Sequence, residues 1–184
     1  MNHNPTLPTN FRVALVLGGA RSGKSRYGLR LAESFPAPRL FLATGEANDE
    51  EMVARIAAHR AERGPGWETR EEPWALPELL GEVQGRYGAI LVDCLTMWLA
   101  NLMLQEEVAE DDLKAAGQRL LAGLDRIVTP SIFISNEVGL GIVPKSPLSR
   151  RYRDWLGWLH QQVALAADLV VLVVAGLPVI LKGK

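Results

Sequence analysis

Residues 13–33 read VALVLGGARSGKSRYGLRLAE. A run of aliphatic residues gives way to a glycine-rich turn, and the turn to a segment whose apolar residues recur at helical spacing. The turn, Gly18, Gly19, Ala20, Arg21, Ser22, Gly23, Lys24 and Ser25, satisfies G-x-x-x-x-G-K-[ST] with a strand before it and a helix after it. Glycine lets the backbone curl until several N–H groups converge on one phosphate, and the helix amino end adds partial positive charge. Lys24 supplies a point charge for the outer phosphates, and the Ser25 hydroxyl is a ligand for Mg2+.

The alternation continues along the chain. Short branched runs predict strands at Arg12–Leu17, Arg39–Thr44, Ala89–Asp93, Ser131–Ser135 and Leu169–Val174. Helical spacing predicts helices at Lys24–Ser34, Glu50–Arg63, Leu76–Gln84, Thr96–Leu104, Glu110–Ile127 and Leu148–Ala167. The expected fold is α/β of the P-loop NTPase type, a mainly parallel twisted sheet with helices on both faces. It forms one domain over residues 11–184, after a polar leader at 1–10 that is predicted disordered. Glycine and proline mark two exposed loops, Arg63–Trp67 and Val138–Pro144. In such a sheet, ligands collect where loops leave the carboxyl ends of strands.

Composition narrows the function. The chain has 184 residues and is 48% hydrophobic, enough for one core. Its 20 basic and 21 acidic side chains leave a net charge of -1, so no overall field draws in nucleic acid or an anionic membrane. The single cysteine, Cys94, excludes an internal disulfide and reads as buried packing in a reducing compartment. The start lacks the basic and apolar regions of a signal peptide, and no apolar run approaches the roughly 18 residues of a membrane span. The expected location is cytoplasmic.

An acidic residue at the end of a buried strand is the second part of such nucleotide sites, placed to reach the water shell of the metal. Asp93, closing AILVD, fits, although a cap for the next helix is the plain alternative and Asn136-Glu137 is a competing candidate. No N-K-x-D sequence reads guanine as in signalling GTPases. A small-molecule or nucleotide kinase remains, with Arg150-Arg-Tyr-Arg153 as a lid over the transferred phosphate or as a solvated helix start. Arg55, His59 and Arg63 recur at i, i+4, i+8 and share one stripe of the predicted 50–63 helix. Flanking guanidiniums favour a neutral, nucleophilic imidazole, but on spacing alone an ordinary surface histidine is the favoured reading.

The pieces GGARSGKSR, ATGEANDEEMVARIAAHRAER with W-E-T-x-E-E-P, ILVDCLTMWLAN, SNEVGLGIVP, LSRRYRDWLGWLHQ and GLPVILK stand in a specific order and spacing. From about Val13 to Lys182 they resemble the bifunctional adenosylcobinamide kinase / adenosylcobinamide-phosphate guanylyltransferase of cobalamin biosynthesis. The resemblance implies two reactions on one corrinoid. ATP or GTP phosphorylates the aminopropanol hydroxyl of adenosylcobinamide, and GMP from GTP is then added through a guanylylated histidine, which falls on His59. It also implies GTP contacts at the phosphate loop, at Ala43, Thr44 and Gly45, at Arg60, Ala61, Glu62 and Arg63, and at Glu71 and Asp93. Glu71 is then suited to accept the guanine N1–H and N2–H groups. Mg2+ would be held by Ser25 and Asp93, the metal reached directly or through water.

Arg150, Arg153 and Asp154 are the matching substrate-side positions. Arg151, Tyr152 and His160 depart from the family's usual residues, and His160 is expected to be a packed or surface histidine on an apolar helix. A homotrimer is implied as well, and Trp155 and Trp158 suit an interface, a corrinoid or the core. His3 lies in the leader and is read as inert. Two rivals stand beside this reading: a plain P-loop small-molecule kinase, for which His59 is dispensable, and a non-catalytic nucleotide-sensing module.

Overall fold

β1 (Val13–Gly18) is buried at every position. An interior strand of a parallel sheet requires this, because helices cover both of its faces. The computed structural model describes residues 7–45, 64–105 and 108–183. After β1 come α1 (Lys24–Glu33), β2 (Arg39–Ala43), β3 (Trp67–Glu71), α2 (Leu76–Val83), β4 (Ala89–Asp93), α3 (Leu95–Leu104) and α4 (Glu110–Leu124). The remainder is β5 (Ser131–Asn136), α5 (Pro147–Ala166), β6 (Leu169–Val174) and β7 (Leu177–Lys182). The seven strands form one sheet in the order β3-β2-β4-β5-β1-β6-β7. All pairs are parallel except β6 with β7.

The alternation of side chains along β1 divides the core. Val13, Leu15 and Leu17 pack with Leu76 and Leu80 of α2, Trp98 of α3, Leu120 of α4 and Leu159 of α5. Ala14 and Val16 face the other way, against Tyr27 and Leu31 of α1, with Phe11 and Phe41. The expected helices on both faces are therefore present. A third cluster, Leu99, Met103, Leu113 and Leu156, fills the space between α3, α4 and α5. Within the expected leader, Leu7 packs against the α1-side core.

Two strands were not expected from the sequence. β3, WETRE, has no apolar run because it is an edge strand with one neighbour, and only the pairing Arg39↔Trp67 through Ala43↔Glu71 identifies it. β7, LPVILK, is a second edge strand, returned antiparallel from β6 by Ala175 and Gly176. Both turn residues have positive φ (52° and 81°), which a two-residue hairpin loop demands and glycine accepts without strain. The predicted helix at 50–63 lies outside the described residues.

Candidate active site

Because β1 to β6 run parallel, their carboxyl ends share one edge of the sheet. Glu71, Ala43 and Asp93 stand in one line of register across β3, β2 and β4, and Asn136, Gly18 and Val173 in another across β5, β1 and β6. Four strand spacings separate β3 from β1, about 19 Å at ~4.8 Å each. Glu71 thus stands at one end of the edge and the glycine-rich loop four strands away from it.

The loop itself is tightly determined. At Gly18 a Cβ would fall on the Ser22 hydroxyl and lie 2.7 Å from the Val173 carbonyl oxygen, so only glycine fits. Ser22 N–H donates to Gly19 O (3.2 Å), Gly176 N–H of the β6–β7 hairpin donates to Ser22 O (2.8 Å), and Glu137 N–H donates to Gly18 O (3.0 Å). Lys24 Nζ bends back over the loop to Gly19 O at 3.2 Å. Gly23, at φ 94°, is the N-cap of α1 and offers no side-chain cap, and the first turn holds no acidic residue. The first N–H groups of α1 are left facing the edge, where an anion is the natural complement.

Asp93 ends β4 at this edge, half-buried. The N-cap position of α3 is Cys94, one residue further on, whose side chain makes no capping bond. The Cys94 thiol is pushed up to about 11, by burial first and by the Asp93 charge, against the opposing charge of Lys24. Lys24 and Asp93 therefore both lie near enough to Cys94 for their charges to act on it. The thiol stays protonated and inert, in its expected packing role.

Thr44 is fully buried and its hydroxyl works in both directions, donating to Cys94 O (2.7 Å) and accepting from Cys94 N–H (2.8 Å). It welds the end of β2 to the end of β4. Asn101 Nδ2 holds the same corner, donating to Thr44 O (2.7 Å) and Pro73 O (3.2 Å). Gly45 continues from this corner, with Met97 Cγ 3.9 Å from where its Cβ would be. His59, Arg60, Ala61, Glu62 and Arg63 lie outside the described residues.

Arg150 turns inward to its own loop, donating to Pro144 O (3.0 Å) and Lys145 O (2.6 Å). Arg153 pairs with the adjacent Asp154 at 3.1 Å. Trp155 and Trp158 meet edge to face, with centroids 5.3 Å apart. Trp158 also packs on the main core and Trp155 on the cluster between α3, α4 and α5.

The sequence reading missed a buried polar chain. His160 Nε2 lies 2.7 Å from Ser135 Oγ, which lies 3.0 Å from Thr96 Oγ1, and Thr96 Oγ1 accepts from Asn136 N–H at 2.7 Å. Burial lowers the His160 pKa against the opposing pull of Glu137, so the ring is held neutral. The available signal was the isolated Thr96, Asn101 and Ser135 inside otherwise apolar stretches, since buried polar groups need partners.

A family model described as cobinamide kinase / cobinamide phosphate guanyltransferase matches residues 14–181. The chain belongs to that family. It is 48% identical over 172 residues to the bifunctional adenosylcobalamin biosynthesis protein CobP of Pseudomonas aeruginosa, covering 92% of this chain and 97% of that protein. It is 37% identical over 179 residues to the bifunctional adenosylcobalamin biosynthesis protein CobU of Escherichia coli, covering 91% and 98%. Among solved structures, the flagellar accessory protein FlaH of Methanocaldococcus jannaschii aligns at TM-score 0.56 and 16% identity, over 97% of this chain and 80% of that one. A type III secretion ATPase aligns at TM-score 0.53 and 13% identity, over 87% and 50%. These two bear on fold alone, and the fold is of the P-loop NTPase type.

Proposed function

We propose that the chain carries out both reactions of its family on adenosylcobinamide. In the first, the substrate hydroxyl oxygen bonds to the γ-phosphorus of ATP or GTP, the bridging P–O bond breaks, and a nucleoside diphosphate and a proton leave. In the second, a His59 ring nitrogen attacks the α-phosphorus of GTP and pyrophosphate leaves. The new corrinoid phosphate then attacks that phosphorus, the P–N bond breaks, and adenosylcobinamide-GDP forms with His59 restored. Neutral imidazole attacks well and leaves well, which suits a relay of this kind.

The observation that carries this reading is the phosphate loop at the sheet edge, with an uncapped helix end and Lys24 folded over it, in a chain matched by the family over 14–181. Gly18, Gly19, Ala20, Arg21, Ser22, Gly23, Lys24 and Ser25 hold the phosphates. Ala43, Thr44, Gly45, Arg60, Ala61, Glu62, Arg63, Glu71 and Asp93 complete the nucleotide contacts, and Arg150, Arg153 and Asp154 stand on the substrate side. Among the described residues no group of three or more His, Cys, Asp or Glu could hold a metal by itself. One hydroxyl and one carboxylate, Ser25 and Asp93, are the donor set of a Mg2+ that takes its other ligands from phosphates and water. When bound, the ion neutralises charge on the transferring phosphates.

A trimer and a cytoplasmic location belong to the same proposal. No described helix is long and apolar enough to cross a membrane. Leu177, Val179, Ile180 and Leu181 of the edge strand β7 are 70%, 48%, 49% and 58% exposed, an apolar edge suited to self-association.

The test is to mix the protein with Mg2+ and GTP labelled on the α-phosphate, denature it, and look for label on the chain. Acid-labile, alkali-stable label that disappears in His59→Ala is expected. A γ-labelled control excludes simple phosphorylation. An active enzyme that never retains α-label is a plain kinase, and nucleotide binding without transfer to any corrinoid marks a sensing module.

A further inference from the structure

The hydrogen-bond chain behind the phosphate loop has a direction, and the direction fixes the state of His160. Each member can be accounted for by its protons. Asn136 N–H must donate, so Thr96 Oγ1 accepts at 2.7 Å. Thr96 is left with its own hydroxyl proton, and the near oxygen is Ser135 Oγ at 3.0 Å. If Thr96 donates there, Ser135 turns its proton to His160 Nε2 at 2.7 Å, which must then be the unprotonated nitrogen. The ring proton falls on Nδ1, which faces Glu137 Oε2 at 4.0 Å. Burial favours the same neutral ring. In the opposite sense, with Nε2–H donating to Ser135, Thr96 Oγ1 would accept from both Ser135 and Asn136, and its own proton would be left to the Cys94 sulfur, a weak acceptor.

The fixed end of the chain lies where phosphoryl transfer needs precision. Asn136 is in register with Gly18, the first residue of the phosphate loop, and the next N–H, of Glu137, donates to Gly18 O. The Asn136 side-chain oxygen is itself buried without a partner. Tyr152, on the same helix as His160, donates to Thr96 O at 2.9 Å, so α5 reaches the chain at two points. Thr96, Ser135 and His160 are all buried.

We propose that His160 is a positioning residue for phosphoryl transfer, closing as the Nδ1–H tautomer a one-directional relay from Asn136 through Thr96 and Ser135 that sets the end of β5 against the phosphate loop. The inference rests on the reading of Gly18–Ser25 as the phosphate cradle. It joins the helix that bears Arg150 and Arg153 to that cradle through hydrogen bonds alone.

The first experiment uses no nucleotide: nitrogen-15 NMR of the histidine rings in the full chain at neutral pH. A neutral His160 with a protonated Nδ1 and an accepting Nε2 is expected, and an Nε2–H or charged ring overturns the proposal. The second is kinetic. His160→Leu and Thr96→Val should each lower kcat for adenosylcobinamide phosphorylation by about tenfold to a hundredfold, the scale of a slightly misplaced reacting group, with nucleotide KM within about twofold. The double variant should be no slower than the worse single one, because both cut one chain. His160→Gln, whose side-chain oxygen can accept from Ser135 in place of Nε2, should recover most of the rate.

Multiplying losses, or a Gln variant as slow as Leu, overturn the proposal. If His160→Leu does not fold, Thr96→Val and Ser135→Ala make the same cut and replace it in the cycle. Failure of the underlying cradle reading is distinguishable: Lys24→Ala would then retain phosphorylation, whatever the NMR reports for His160.

Discussion

Thr44 and Asp168 do opposite kinds of work with small polar groups. Thr44 is buried and exchanges two hydrogen bonds with Cys94, so Thr44→Val leaves the Cys94 N–H without its acceptor, while Cys94 O keeps the Trp98 N–H. Urea unfolding should register a loss of about 1–3 kcal/mol. Asp168 instead sits exposed after α5 and accepts from Arg12 N–H (2.8 Å) and Val13 N–H (3.1 Å), tying down the start of β1. Its desolvation would raise its pKa, but those two N–H groups and the charges of Arg12 and Lys182 outweigh it and hold the carboxyl below its ordinary value. A lowered folded pKa gives stability that is present above the unfolded value, about 4, and is lost as pH falls through the folded one. Thermal melts should therefore show the wild type losing more stability than Asp168→Asn between about pH 5 and pH 3. The sequence marked Thr44 only as a nucleotide contact implied by resemblance, and Asp168 not at all; the hydrogen bonds of neither were legible. A lone Thr after a strand and a lone Asp before one are common, and only the partner brought across the fold tells what they do.

Glycines set how closely the elements approach. A Cβ on Gly117 in α4 would lie 2.7 Å from a ring carbon of Trp158 on α5. Replacing a helical glycine by alanine favours the helix by about 1 kcal/mol, whereas overpacking costs about 1–3 kcal/mol. Gly117→Ala is expected to lower Tm, and a Trp158→Leu background, which removes the ring, should reverse the sign. Gly88, just before β4, is more restrictive, because a Cβ there would fall on the Pro36 carbonyl oxygen, and backbone does not yield as a side chain does. At this scale the sequence was most readable for buried strands. The aliphatic runs of β1, β4, β5 and β6 name themselves, and the motif after β1 located the phosphate loop. β3 and β7 were missed because edge strands carry polar or turn-forming residues and are defined by a neighbour rather than by a pattern. The relay through His160 was missed for the same reason: its members come from α3, β5 and α5, and no spacing along the chain joins them.

In the whole molecule, the two edges of the sheet differ. The β3 edge is polar, with Glu68 and Glu71 exposed, while the β7 edge shows an apolar row to solvent. If three chains assemble through that row, Leu177→Lys combined with Leu181→Lys should reduce the mass measured by sedimentation to that of one chain, with the fold unchanged by circular dichroism. A mass that stays at three chains would move the contact elsewhere. Strand order carries another consequence. β1 precedes β5 and β6 in the chain, yet it lies between them, and the hairpin that follows β6 supplies the bond to Ser22. The phosphate loop thus cannot take its final shape until synthesis has passed Gly176, about 150 residues after the loop itself. Ligand binding favours only molecules that possess the site, by RT ln(1 + [L]/Kd), so a nucleotide held by this loop would stabilise copies that have closed the β6–β7 hairpin and offer nothing to chains cut short before it.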